Sequence, residues 1–91
     1  MVSSLKYQLI YSKEALKDAD KIKQDPRLVQ KIKILLNALE EDPFALPYKA
    51  LQGKLKGAYS RRINLKHRLV YQIIEEGKYV KILRMWTHYE D

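Results

Sequence analysis

The residues of this chain best suited to chemistry fall in three short runs: Ser60-Arg61-Arg62-Ile63, His67-Arg68-Leu69-Val70-Tyr71 and, near the end, Thr87-His88-Tyr89. Guanidinium groups fork onto phosphate oxygens through two parallel hydrogen bonds. An imidazole, with an ordinary pKa of about 6.5, exchanges a proton close to neutrality. Together these groups suit gripping an RNA phosphate and moving a proton there. RNA is cut without metal when a 2′-hydroxyl attacks the neighbouring phosphorus. That reaction needs a base for the hydroxyl proton, cations around the crowded phosphorane and a proton donor for the departing 5′ oxygen. Arg62 and Arg68 are candidates to bind the non-bridging oxygens. His88 is a candidate acid, since a neighbouring phosphate raises its pKa, and Tyr89 could hydrogen-bond the phosphate or stack on a base.

The elements that must position these groups are legible in the pattern. Leu5 to Tyr11 reads as a strand, ending at Ser12, a helix N-cap with Glu14 in the first turn. Ala15, Leu16, Ala19 and Ile22 then give a narrow apolar stripe through Lys23. Asp25-Pro26 starts a second helix, whose broad apolar face of Leu28, Val29, Ile32, Leu35, Leu36 and Leu39 should cover a sheet. It must stop near Glu41, because Pro43 disfavours helical backbone at Asp42.

Pro43 to Gly57 reads as an irregular loop, and three strands follow at about Ala58–Asn64, His67–Ile74 and Lys78–Thr87. Glu75-Glu76-Gly77 fits a three-residue turn closed by a left-handed glycine. That link pairs Ile74 with Lys78 and therefore Arg68 with Arg84, placing Arg68, Arg84 and His88 on one face. If Asn64-Leu65-Lys66 is likewise a three-residue link, which no glycine signals, Arg62 pairs with Arg68 on the same face. The expected architecture is α+β: two N-terminal helices on one side of a mostly antiparallel four-stranded sheet, the other side partly open.

Composition narrows the function classes. Ninety-one residues make one domain, 1–91, able to bury about 60–65% of the surface its unfolded chain exposes. Without cysteine there is neither a disulfide nor a thiolate zinc site, which suits a reducing cytoplasm. No segment approaches the roughly 20 apolar residues of a membrane span, and the first residues lack a signal peptide's apolar stretch. Net charge is +7, from 18 Lys and Arg against 11 Asp and Glu. Such a field attracts polyanions. The lysines from Lys13 to Lys33 sit at helix-surface spacings and read as a solvated face. The arginines gather in the second half, at Arg61, Arg62, Arg68 and Arg84, where their planar forks favour a phosphate site.

The run Ser60-Arg61-Arg62-Ile63, the short link, His67-Arg68-Leu69-Val70-Tyr71 and the closing His88-Tyr89 resemble the YoeB/Txe branch of the RelE-like bacterial toxins. Leu51 to Tyr71 and the last strand match residue by residue, and the helical half matches in pattern, including Asp42-Pro43-Phe44. The resemblance implies a RelE-like β-α-α-β-β-β fold and the toxin of a type II toxin-antitoxin system. Such toxins are ribosome-dependent mRNA endoribonucleases, acting in the A site and held inactive by a cognate antitoxin. It implies a homodimer or toxin-antitoxin hetero-oligomer, no cofactor and no membrane partner. The positions that match the family's active-site residues are Arg62, Arg68, His88 and Tyr89.

The chain departs from the family at the base. Where the family usually carries Glu-x-Leu, this sequence has Lys49-Ala50-Leu51, and a lysine common just after that leucine is replaced by Gln52. Three readings stay open. Lys49, its pKa depressed by arginines, acts as base or phosphate clamp; another carboxylate such as Glu90 serves; or the protein cuts slowly or not at all. Loss of a base costs about 10²–10⁴-fold in rate. A weakened member that binds antitoxin and RNA or ribosome with little cleavage is therefore the alternative function.

Further RNA-binding candidates are Arg61, Arg84, Gln52, Lys54 and Trp86. By alternation Arg61 points away from Arg62 and reads as a solvated or partner-contacting arginine. His67, near a turn, reads as a surface or capping group, and apart from the resemblance His88 would be an ordinary tail histidine. Tyr59, Tyr71, Tyr79 and Trp86 are spaced for core packing. Two histidines without helical spacing or an acidic cluster give no metal site. A DNA-binding or structural basic domain is a poorer reading, because no recognition helix stands out.

Overall fold

A computed structural model describes residues 6–45 and 47–87, with the side chains of Trp86 and Thr87 excepted. Strand β1 (Gln8–Tyr11) leads into helix α1 (Lys13–Ile22), helix α2 (Pro26–Glu41), a two-residue strand β2 (Lys49–Ala50) and a single 3₁₀ turn (Gly53–Leu55). Strands β3 (Tyr59–Arg62), β4 (Arg68–Ile74) and β5 (Tyr79–Thr87) complete the regular structure of the described residues. Both helix starts obey the capping signals: Ser12 Oγ accepts from Ala15 N at 3.0 Å and Asp25 Oδ1 from Leu28 N at 3.2 Å, with Pro26 in the first turn. Asp42 ends α2 in extended backbone, as a residue before proline must.

The sheet has five strands, in the order β1-β5-β4-β3-β2, and not four. β1 runs parallel to β5 and every other pair is antiparallel. The additional strand is β2, inside the segment expected to be irregular. Two residues carry no alternation that a sequence can show, and only their pairing with β3, Lys49 to Ser60 and Ala50 to Tyr59, makes them a strand.

Alternation along β3 and β4 divides the sheet. Leu69, Tyr71 and Ile63 join Val80, Ile82, Ala15, Ile32, Leu39 and Met85 in the core beneath the helices. On β3 and β4, Ser60, Arg62, Arg68 and Val70 take the opposite phase. Of the apolar stripe on α1, Ala15 and Ile22 are buried, whereas Leu16 is 58% exposed.

The β4–β5 register differs from expectation. Lys78 adopts a left-handed φ of 57° directly after Gly77 at 87°, so the link is one residue longer and Ile74 pairs with Tyr79. Two register shifts then move the partner of Arg68 to Thr87, while Arg84 lies opposite Val70. Arg84 is held by α1: Asp18, 1% exposed, accepts from its Nε at 2.8 Å and its Nη2 at 3.1 Å, and from the backbone N of Met85 at 3.0 Å. This carboxylate ties helix α1 to the shifted part of β5.

Asp18→Ala should cost about 2–3 kcal/mol, the worth of charge-assisted bonds to a buried carboxylate. For a domain of this size that lowers Tm by about 10–20 °C in a calorimetric or circular-dichroism melt. A change under about 3 °C would show that the ion pair does not hold the shifted strand.

Candidate functional site

On the face turned away from the core, cross-strand pairing assembles a basic cleft. Lys49 lies opposite Ser60, Ser60 opposite Val70, and Arg62 opposite Arg68. Ser60 and Arg62 are two residues apart on one strand, so all four polar side chains belong to one face. They line a cleft of about 430 Å³ together with Pro47, Tyr48 and Arg61. The expected pairing of Arg62 with Arg68 is present, and the short link that sets it is closed by Asn64. Its Oδ1 accepts from Lys66 N at 2.9 Å and His67 N at 2.8 Å, so a side-chain turn does what no glycine is there to do.

Sequence reasoning missed the part played by Ser60. It is buried, and its Oγ accepts from Arg68 Nε at 2.8 Å, which fixes the guanidinium of the half-buried Arg68. Among the described residues no carboxylate pairs with Arg62 or Arg68, so both keep terminal N–H groups for an anion. A serine in a basic strand carries no sequence signal of this role beyond its alternation with Arg62.

Arg61 is not the solvated arginine that alternation suggested. It points to the opposite face from Arg62, as expected, but that face is the core side, and the residue is only 6% exposed. Its Nε donates to Tyr71 Oη at 3.1 Å and its Nη2 to Ala45 O at 2.6 Å. The second bond pins the loop that leads to Lys49. The Tyr48 ring meets Tyr59 edge-on at 5.1 Å, and Tyr59 lies 6.1 Å from Tyr71, so an aromatic row supports the same loop. Lys49 therefore sits on an anchored segment. Tyr71 is fully buried, as expected for core packing, and Tyr59 is half-buried, but Tyr79 is exposed, its ring lying over Gly77 of the turn instead of in the core.

The remaining candidates are dispersed. Gln52 and Lys54 are exposed on the 3₁₀ turn and do not line the cleft. Arg84 is committed to Asp18. His88, Tyr89 and Glu90 lie outside the described residues, as does the side chain of Trp86, although β5 can be followed to Thr87, opposite Arg68.

A profile of the YoeB-like toxin of bacterial type II toxin-antitoxin systems matches residues 11–89. The chain belongs to this toxin family. A YoeB toxin of Synechocystis is 38% identical over 68 residues, which cover 72% of this chain and 77% of that protein. One of Mycobacterium bovis is 37% identical over 67 residues, covering 71% and 76%. Among solved structures, a YoeB/ParE toxin from Agrobacterium tumefaciens superposes with a TM-score of 0.83 at 29% identity, over 90% of this chain and 99% of that one. The toxin in a heterotetrameric YoeB-YefM toxin-antitoxin complex from Staphylococcus aureus gives 0.78 at 32%, over 91% and 98%. Two helices on a mixed sheet are thus the fold of this RelE-like group, and among the described residues no helix is long and apolar enough to cross a membrane.

Burial raises the pKa of the Tyr71 hydroxyl, and the Arg61 guanidinium only partly opposes that. Because the folded-state value lies above the unfolded one, Tyr71 stabilises the fold fully below about pH 10 and less as pH rises through its raised pKa. Tyr71→Phe should lower Tm near neutral pH, since it leaves Arg61 Nε without its acceptor at about 1–3 kcal/mol. The gap between the two proteins should narrow in alkaline melts above about pH 10. A gap independent of pH would show that the phenol does not titrate with folding.

Proposed function

We propose that the chain is a ribosome-dependent mRNA endoribonuclease that cuts without metal: a 2′-hydroxyl, its proton passing to a carboxylate such as Glu90 or to water, attacks the adjacent phosphate, and the 5′ oxygen departs with a proton. The observation that carries this reading is the convergence of Lys49, Arg62 and Arg68 on one cleft, with Ser60 fixing the Arg68 guanidinium. Like charges on one rung destabilise a sheet unless an anion lies between them. A phosphate diester supplies that anion, and negative charge that grows in the phosphorane is held more strongly than in the ground state. His88 follows Thr87, the residue opposite Arg68, and donates the proton to the 5′ oxygen; Tyr89 hydrogen-bonds the phosphate or stacks on a base. Action on mRNA in the ribosomal A site rests on the family resemblance.

At the family's glutamate position Lys49 brings a cation to the phosphate in place of a base. This favours a second reading, a member that holds RNA or ribosome and its antitoxin while cutting slowly. In both readings the partner is a cognate antitoxin, whose acidic, flexible segment folds across the basic cleft and covers it. The Staphylococcus aureus YoeB-YefM complexes support an antitoxin as the partner.

Purified protein added to a translation reaction should inhibit synthesis and leave new mRNA 5′ ends near start codons. Unimpaired synthesis without such ends would overturn the nuclease reading. Arg68→Ala should lower inhibition about 10²-fold or more, as loss of one oxyanion donor does, while stability changes by about 1 kcal/mol. A collapsed Tm would make the arginine structural instead. Lys49→Glu should raise cleavage by about 10²-fold or more; an unchanged rate would show that the loop supplies no base.

A further inference from the structure

Arg62 lines a second cleft as well as the first. On its far side lie Lys31 of α2 and the β3–β4 turn residues Asn64, Leu65 and Lys66, around a volume of about 520 Å³. Its lysines come from distant parts of the chain, 31 and 66, and among the described residues neither is held in an ion pair. Leu65 is 89% exposed at the tip of the turn. It is not there through slackness, because Asn64 Oδ1 closes the turn with two hydrogen bonds and holds the leucine outward.

We propose that this second cleft is an RNA-backbone subsite. Resting on the nuclease reading above, the inference names where the strand runs beyond the phosphate to be cut. Arg62, shared by both clefts, lies between that phosphate and its neighbour; Lys31 and Lys66 bind the neighbouring phosphate; and Leu65 packs against the sugar or base that follows. Phosphate contacts of this kind position a strand without reading its sequence. The RNA has two sources, the substrate strand and ribosomal RNA, and both offer the same phosphodiester chemistry.

The test pairs K31A/K66A with a control, K13A/K17A, which removes the same charge from exposed positions of α1. Binding is measured with an uncleavable 2′-deoxy-substituted oligonucleotide of several phosphates, with the corresponding dinucleotide, and with vacant ribosomes, across a salt series. For a substrate-strand subsite, K31A/K66A binds the longer oligonucleotide about tenfold more weakly, with a salt slope smaller by about 0.7 for each phosphate no longer neutralised. The dinucleotide, filling only the first cleft, binds both proteins alike. Weakening confined to ribosomes assigns the subsite to ribosomal RNA. Unchanged binding in both arms, or equal weakening by K13A/K17A, overturns the proposal. Because the oligonucleotide cannot be cut, the result is independent of cleavage, whose failure appears separately as missing mRNA 5′ ends.

Discussion

Two guanidinium groups face each other across a single rung of sheet, Arg62 on β3 and Arg68 on β4, and no described carboxylate separates them. An arrangement of this kind works against folding, since like charges directly opposite destabilise a sheet pair. It persists because the β3–β4 register is fixed elsewhere. Asn64 closes the turn, Ser60 ties down Arg68, and Leu69 and Tyr71 bury the alternate positions of the same strand. The strain against the local rule is spent where an anion relieves it, as expected of a functional site.

The buried polar residues serve the same end from behind. Arg61 crosses to the core side to bind Tyr71 and the carbonyl of Ala45, holding the loop that carries Lys49. Asp18 fastens Arg84 and the backbone at Met85, so β5 keeps its shifted course to Thr87 beside Arg68. Each bond satisfies a group that would otherwise be costly to bury. Consecutive arginines thus take opposite tasks: Arg61 supports the frame and Arg62 presents charge to both clefts.

Local signals in the chain were enough to place both helices, their caps at Ser12 and Asp25 and the stop before Pro43; they gave the Arg62–Arg68 rung only on condition of a three-residue link, which Asn64 supplies. They also singled out Arg62 and Arg68, whereas Lys49 entered only through the family pattern; the cleft brings the three together. What stayed hidden depends on distant partners. β2 exists only through its pairing with β3; the position of Arg84 follows from a left-handed Lys78 and one register shift, with a second shift bringing Thr87 opposite Arg68; and the burial of Arg61 depends on Tyr71 and Ala45. Asp18 looks like one more charge on a polar helix until α1 is laid against β5. Alternation correctly gave Arg61 the opposite side from Arg62, but it could not say that an arginine there would find partners inside.

The claim that these cations form one phosphate site is tested most directly by following arginine Nε–H signals in a nuclear magnetic resonance titration with an uncleavable oligoribonucleotide. Arg62 and Arg68 should shift together, along one saturation curve, while Arg84, held by Asp18, stays in place. Independent curves for the two, or shifts shared equally with Arg84, would contradict a single site.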